Sequence, residues 1–179
     1  IICLLGPSGI GKTTILRTIA GLEKIERGTI ELKGNVLSSN QINVEPENRN
    51  ISLAFQENSL FPHYTVEKNI LLGADRNKDK KDKNVNFQEI IDLLDISLIL
   101  NKFPHEISAG EAQRASLARS LITNPDLLLL DEPFAALDIM TIKNLQQIIV
   151  DLQMHNNISI ILCDHQARDL LSCVDLAVV

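Results

Sequence analysis

The feature that most constrains the fold is a glycine-rich segment at residues 6–13, which reads Gly-Pro-Ser-Gly-Ile-Gly-Lys-Thr. It follows an apolar run at residues 1–5, typical of a buried strand, and opens a helical pattern at residues 12–20. Glycines let successive backbone N–H groups turn inward, and a helix N-terminus adds partial positive charge. This order of strand, loop and helix predicts a phosphate-binding loop for a purine nucleoside triphosphate.

The chemistry of such a loop assigns roles to its side chains. Lys12 places a positive charge on the β- and γ-phosphates, the Thr13 hydroxyl is a ligand for Mg²⁺, and Thr14 adds a phosphate contact. The pattern is shared by kinases, GTPases, helicases and transporters, so it predicts nucleotide binding and no particular process. The expected ATP-binding residues of the loop are Gly6, Ser8, Gly9, Gly11, Lys12, Thr13 and Thr14.

Short apolar runs alternate with helical patterns along the rest of the chain, which predicts an α/β fold with a mainly parallel sheet. One exception is residues 28–37, whose alternation around a Gly34-Asn35 turn predicts an antiparallel hairpin. Further strands are expected at residues 50–55, 126–130, 159–163 and from 175, and further helices at residues 65–73, 87–100, 108–123, 142–154 and 166–173.

Polar residues follow three of these strands, at the edge of the sheet where ligands bind in parallel α/β folds. Asp131 is expected to hold Mg²⁺, and Glu132 to orient and polarise the attacking water as catalytic base. Gln56 can reach the metal and its water, and His165 can donate to the γ-phosphate. The expected catalytic residues are therefore Glu132, His165 and Gln56, and the expected metal ligands are Thr13, Gln56 and Asp131.

Composition narrows the function further. The net charge of −6 argues against binding to a nucleic-acid backbone, which needs a basic face. With only 3% aromatic residues, the core must be aliphatic. Cys3, Cys163 and Cys173 have no C-x-x-C spacing, so buried thiols are expected. The charged run at residues 76–84 is typical of a solvated loop.

Residues 108–114 read Ser-Ala-Gly-Glu-Ala-Gln-Arg, and this segment resembles the signature motif of ABC ATPases. Ser108 and Glu111 also fit a helix capping box. Together with the phosphate loop, Gln56, Asp131-Glu132, the Ala-Leu-Asp at 136–138 and His165, every motif of that family after its first strand is present in order. The resemblance covers the whole chain and implies a P-loop NTPase core with an antiparallel hairpin region and a helical subdomain.

The resemblance implies a mechanism. Two such domains pack head to tail, so that Ser108, Gly110 and Glu111 of one contact the ATP held by the phosphate loop of the other. Asp138 lies near the subunit seam and contributes to the ATP site. Within a single domain at 1–179, residues 1–56 and 111–179 form the nucleotide-binding core. Residues 57–110 form the helical subdomain, and its segment 57–73 meets the membrane partner.

This chain departs from the family pattern at three points. Ala109 replaces the usual first glycine of the signature, which we expect to disfavour positive φ and narrow the approach of the phosphate. Glu111 replaces the usual glutamine. The strand that normally carries an aromatic residue against adenine does not precede Ile1, and the last strand is unfinished at Val179, so we expect both ends to be clipped.

The segments at 46–51, 55–66 and 103–108 are similar to those of importers of iron(III), thiamine and polyamines, which favours import of a small solute. The implied partners are a second ABC ATPase domain in a homodimer, transmembrane permease subunits and a solute-binding protein, at the cytoplasmic face of the inner membrane. Three alternatives stay open: a lipopolysaccharide-export ATPase, suggested by residues 164–169; a soluble ABC ATPase acting on DNA or ribosomes; and a regulatory cassette without hydrolysis.

Overall fold

Five parallel strands form the main sheet of the computed structural model, which describes residues 1–54, 60–74, 86–135, 137–156, 158–164 and 174–178. The strand order is β4-β5-β6-β1-β7, and a separate antiparallel pair joins β2 to β3. The strands are β1 (Ile2–Leu5), β2 (Ile30–Leu32), β3 (Asn35–Ser38), β4 (Ile51–Ala54), β5 (Leu127–Asp131), β6 (Ser159–Asp164) and β7 (Leu176–Val178), and the helices are α1 (Lys12–Ala20), α2 (Val66–Ala74), α3 (Phe87–Leu93), α4 (Ala109–Leu121) and α5 (Ile139–Asn156). The predicted α/β class, parallel sheet and hairpin are confirmed.

Strand β5, which lies between β4 and β6, is buried on both faces. Leu128 and Leu130 pack into one apolar cluster, while Leu127 and Leu129 pack into a second cluster on the other side of the sheet. Side chains alternate across a strand, so a continuous leucine run requires a hydrophobic layer on each side. These layers hold β5 firmly, which positions Asp131 at its carboxyl end.

The hairpin turn lies one residue earlier than predicted. Lys33 and Gly34 occupy the turn with φ of 51° and 79°, and Asn35 already belongs to β3. Two consecutive residues with positive φ match the twist of antiparallel strands, and glycine adopts that conformation without strain. The Gly34-Asn35 turn was therefore wrong by one position, although the hairpin itself is present.

Two helices differ in length from their predicted spans. A helix was expected over residues 87–100, but α3 ends at Leu93 and a short 3₁₀ turn follows at Ser97–Ile99. Asp95 between them has a φ of 49°, which a continuous α-helix does not allow. Conversely, α5 begins three residues before the predicted start, because Asp138 caps it there. The helix predicted at residues 166–173 lies outside the described residues.

Helix α2 crosses α4 at very short range. A Cβ placed on Gly73 would lie 2.7 Å from both the backbone oxygen of Arg119 and Cγ2 of Ile122. Only glycine leaves room for this approach, and the sequence pattern did not single it out. The contact holds α4, with the signature segment at its N-terminus, against the helices that follow β4.

Arg49 is a buried residue that sequence reasoning missed. Its Nη1 donates to the backbone oxygens of Thr18 (3.1 Å) and Ile19 (2.8 Å) at the end of α1, and its Nη2 donates to Oγ of Ser38 (2.6 Å). Burial lowers the pKa of the guanidinium, with Glu45 opposing that shift. Arg49 thereby ties the phosphate-loop helix to the hairpin.

Candidate functional site

The phosphate loop runs from the end of β1 to the start of α1, as predicted. Gly9 and Gly11 have φ of 84° and 107°, values that side-chain-bearing residues rarely adopt. Gly11 is the N-cap of α1, and no side chain caps that helix. The loop therefore directs an uncapped helix N-terminus outward, which is the arrangement that binds phosphate oxygens.

Lys12 lies across this loop. Its Nζ donates to the backbone oxygens of Gly6 at 2.7 Å and Pro7 at 3.1 Å, and the residue is only 8% exposed. These two carbonyl oxygens stabilise the charge of the Lys12 ammonium group. An incoming phosphate can replace them with a stronger, charge-assisted hydrogen bond. Ser8 and Thr14 are exposed at the same end of the loop.

The structure brings Thr13 and Asp131 together although 118 positions separate them. The Thr13 hydroxyl donates to Oδ1 of Asp131 at 3.1 Å, and Asp131 is 4% exposed. The pairing of β1 with β6 and of β6 with β5 aligns the carboxyl ends of these strands, which places the two side chains at one edge. A hydroxyl and a carboxylate converging there are the oxygen donors that Mg²⁺ prefers.

Glu132 follows Asp131 in an unusual backbone conformation. Its φ is 48°, and its N–H donates to the backbone oxygen of Cys163 at 2.9 Å. A left-handed glutamate costs on the order of 1 kcal/mol, and such strain is concentrated at functional sites. The half-buried side chain leaves the strand next to the buried Asp131, where a catalytic base was predicted.

The described cysteines are inert structural thiols. Cys3 and Cys163 are both fully buried and reduced. Burial, followed by the charge of Asp131, raises the pKa of Cys163 to about 12, so this thiol stays protonated at neutral pH. The prediction of buried thiols is confirmed for these two, and Cys173 lies outside the described residues.

The signature segment forms the predicted capping box. Ser108 is the N-cap of α4, and its Oγ accepts from the N–H of Glu111 at 3.3 Å. Oε2 of Glu111 accepts from the N–H of Ser108 at 2.7 Å and from its hydroxyl at 2.8 Å. The hydrogen bonds from Ser108, backbone first, lower the pKa of the Glu111 carboxyl.

The expectation about Ala109 needs correction. Ala109 is the first residue of α4 and does not have a positive φ. Its methyl group therefore imposes no conformational strain. A helical backbone suits alanine better than glycine. The Ala109 methyl can affect a phosphate only through its volume on an exposed surface.

Gly110 connects the signature to the Asp138 segment. A Cβ at Gly110 would lie 3.0 Å from Cγ2 of Thr141, and the Thr141 hydroxyl donates to Oδ2 of Asp138 at 2.5 Å. Asp138 caps α5, and its hydrogen bonds from Thr141 lower its pKa. Thr141 was missed by sequence reasoning, because only tertiary packing places it beside the signature.

The structure does not place every predicted site residue. Gln56 and His165 lie outside the described residues, although the strands leading to them, β4 and β6, lie on either side of β5. In the described part of the chain, no three His, Cys, Asp or Glu side chains gather as a metal cluster. A Mg²⁺ site needs no such cluster, since it combines one or two protein oxygens with phosphates and water. Within the same residues, no helix is long and apolar enough to cross a membrane.

Known proteins resemble this chain in sequence. A family model described as ABC transporter matches residues 1–135. A sulfate/thiosulfate import ATP-binding protein of Chromobacterium violaceum is 38% identical over 99% of this chain and 48% of its own length. An Fe(3+) ions import ATP-binding protein of Pectobacterium atrosepticum is 41% identical over 98% of this chain and 51% of its own length. A molybdenum import ATP-binding protein of Haemophilus ducreyi is 38% identical over 96% of this chain and 48% of its own length. The chain thus spans about half the length of these relatives.

Solved structures share its fold. A nucleotide-free ATP-binding cassette from an ABC transporter superimposes with a TM-score of 0.83 at 22% identity, covering 98% of this chain and 75% of that one. A dimeric ATP-binding cassette in a post-hydrolysis state with ADP and Pi gives a TM-score of 0.77 at 24% identity, covering 94% and 76%. At this level of identity, the likeness establishes the architecture.

Proposed function

This chain belongs to the ABC transporter family, whose model matches residues 1–135, and we propose that it is the ATP-binding and ATP-hydrolysing part of a transporter that imports a small solute. The observation that supports this most directly is the Thr13–Asp131 hydrogen bond beside the uncapped N-terminus of α1. It joins a phosphate-binding element to a buried carboxylate, which nucleotide hydrolysis requires in one place.

The residues divide the work as follows in this proposal. The N–H groups of the loop and Lys12 bind the phosphates of ATP, and Thr13 and Asp131, with Gln56, hold Mg²⁺. The metal ion would neutralise negative charge on the phosphates. Glu132 accepts a proton from the attacking water, and His165 donates to the γ-phosphate. The strained backbone of Glu132 holds this residue just beyond Asp131.

The proposal includes a second copy of the domain. Ser108, Gly110 and Glu111 lie at the N-terminus of α4, and Ser108 is exposed on the surface of the domain. Asp138 lies beside them through Thr141, which supports a common role at the subunit seam. Two copies arranged head to tail would enclose two ATP molecules, and hydrolysis would allow them to separate.

A groove offers a docking surface for the permease. A cavity of about 450 Å³ lies between the end of α1, β4, α2 and α4. Phe61 and Leu72 are 46% and 41% exposed, and the guanidinium of Arg119 lies 5.8 Å from the Phe61 ring centre.

We propose that a short amphipathic helix of a permease binds in this groove, between the core and the helical subdomain. The domain would then be peripheral, at the cytoplasmic face of the inner membrane. A mainly apolar lining that includes the cation of Arg119 among the described residues suits such a helix. Lining side chains include Ala20, Leu22, Leu53, Phe61, Leu72 and Arg119.

The named relatives favour import, because all three are import ATP-binding proteins. Their cargoes are chemically different: sulfate or thiosulfate, Fe(3+) and molybdenum. We propose import of a small solute, with iron(III) as the cargo to test first, since the sequence motifs and a relative's name both suggest it. Inorganic oxyanions come next, followed by thiamine and polyamines, which only the sequence motifs suggest. A solute-binding protein would deliver the cargo to the permease.

The experiment compares phosphate release and ATP binding in the full-length protein and its Glu132→Gln variant. We expect turnover of Mg-ATP to fall about 100-fold or more, because the amide cannot accept a proton, while ATP affinity changes only a few-fold. Glu26→Gln, at an exposed glutamate, is the matched control and should retain full turnover. Undiminished turnover in Glu132→Gln would overturn the base assignment, and an absence of turnover in the unmodified protein would favour the regulatory cassette.

A further inference from the structure

The Ser108 hydroxyl already has a partner in the single chain. It has one proton, which it donates to Oε2 of Glu111 at 2.8 Å, and its oxygen accepts from the N–H of Glu111. The proposed function requires the same hydroxyl to donate to the γ-phosphate held by a partner domain. One proton cannot serve both acceptors. Closure of the dimer on ATP therefore requires the bond to Glu111 to break.

Charge adds to this competition. Glu111 lies in the first turn of a 13-residue helix, where its negative charge is stabilised by the helix dipole. The hydrogen bonds from Ser108 lower its pKa, so it is ionised at neutral pH. Its carboxylate lies at the N-terminus of α4, where it offsets the partial positive charge that would otherwise attract a phosphate. A γ-phosphate approaching Ser108 thus meets a like charge.

Two cations can form an ion pair with the Glu111 carboxylate when it moves away from Ser108. Lys102 and Arg114 are the charged groups whose field acts on Glu111, and both lower its pKa. Arg114 lies three residues further along α4, so the two side chains are neighbours on the same face of the helix. Its Nε is buried, and in the described part of the chain it has no hydrogen-bond partner. Rotation of the Glu111 side chain toward Arg114 would free the Ser108 hydroxyl.

We propose that Glu111 is a brake on ATP-driven closure of the dimer. Its carboxylate holds the Ser108 hydroxyl and the N-terminus of α4 in the open state, and the γ-phosphate of the partner's ATP must displace it. The glutamate thereby sets the ATP concentration at which two domains associate. This inference rests on the proposed function, since it concerns the same signature surface.

The test measures dimer formation against ATP concentration by analytical ultracentrifugation. It uses the full-length protein with Glu132→Gln, so that ATP persists. Adding Glu111→Gln should lower the ATP concentration for half-maximal dimer about tenfold, because the amide keeps the cap but removes the charge. Glu106→Gln is the matched control: Oε2 of Glu106 accepts from the N–H of Phe103 at 2.7 Å, a similar cap outside the signature. It should leave the midpoint unchanged.

Adding Ser108→Ala both to the protein that keeps Glu111 and to its Glu111→Gln variant separates the brake from a structural role. If Glu111 acts by holding the hydroxyl, the gain from Glu111→Gln is smaller without that hydroxyl, and the gain that remains measures the repulsion between the Glu111 charge and the γ-phosphate. A midpoint unchanged or raised by Glu111→Gln would overturn the brake, with the proposed function intact. Failure of ATP to induce a dimer in any variant would overturn the proposed function and the brake together.

Discussion

The two helices that meet phosphate in the proposed dimer begin in opposite ways. Helix α1 has Gly11 as its N-cap, no side-chain cap and no acidic residue in its first turn. Helix α4 has Ser108 as its N-cap, and Glu111 completes a full capping box. The third helical position is Thr14 in α1 and Glu111 in α4. At equivalent positions, α4 therefore has a negative charge and side-chain hydrogen bonds to its N-terminal N–H groups, whereas α1 has neither.

This comparison shows how one structural element can be prepared for two kinds of anion binding. An uncapped helix N-terminus is costly until a ligand satisfies its N–H groups, so α1 is suited to bind phosphate tightly within one chain. In α4 the cap already gives the N–H of Glu111 a partner, so an anion that displaces this cap gains only the difference between two sets of hydrogen bonds. Weak, displaceable binding suits the proposed dimer, in which this surface would open again after each round of hydrolysis.

The largest effect is expected at the uncapped helix. Lys12→Ala removes the cation that lies across the phosphate loop, and we expect ATP affinity to fall about a hundredfold, because a charge-assisted hydrogen bond is lost. Isothermal titration with ATP measures this in the full-length protein. Lys68→Ala, at a lysine of α2 remote in sequence from the loop, is the control and should bind normally. A loss of only two- or threefold would mean that the loop's N–H groups provide nearly all of the affinity.

A smaller effect is expected when α1 is given the charge that α4 has. Thr14→Glu places a carboxylate at the third position of α1, and we expect ATP affinity to fall at least about tenfold through like-charge repulsion. The same change should raise the melting temperature slightly, because an acid in the first turn stabilises the helix. Thr14→Gln removes the hydroxyl without adding charge, so its ATP affinity should lie between those of the unmodified protein and Thr14→Glu. Equal affinities for the Glu and Gln variants would refute the charge argument.

The smallest effect is expected for the stability of α4. Glu111→Ala removes the reciprocal cap, and we expect the free energy of unfolding to fall by about 1 kcal/mol at pH 7. The lowered pKa of Glu111 means that its contribution is complete above the ordinary glutamate pKa and is lost as pH falls through the folded-state value. Denaturant titrations at pH 7 and below about pH 4 should therefore show a difference that shrinks in acid. A difference that grows in acid would contradict the sign of this linkage.

Most of the fold followed from local patterns. The strand, loop and helix around residues 6–13 and the capping box of α4 were predicted within a residue or two, because glycine conformation and N-caps depend on neighbours close in sequence. The errors arose where conformation was decided by single residues: Lys33 entered the hairpin turn, and Asp95 interrupted the helix expected to reach residue 100. The domain boundaries and the roles of all the site residues stay predictions, and Gln56 and His165 also lie outside the described residues.

Residues close together in the sequence specify the chemistry of each end of the proposed ATP site. The loop glycines and Lys12 predict phosphate binding, and Ser108 with Glu111 predicts the capping box that begins α4. The tertiary structure alone decided which distant groups meet: Thr13 with Asp131, Glu132 with Cys163, and Gly110 with Thr141. Caps and turns close over three or four residues, whereas these contacts depend on the order of parallel strands and on the burial of leucines across the whole sheet.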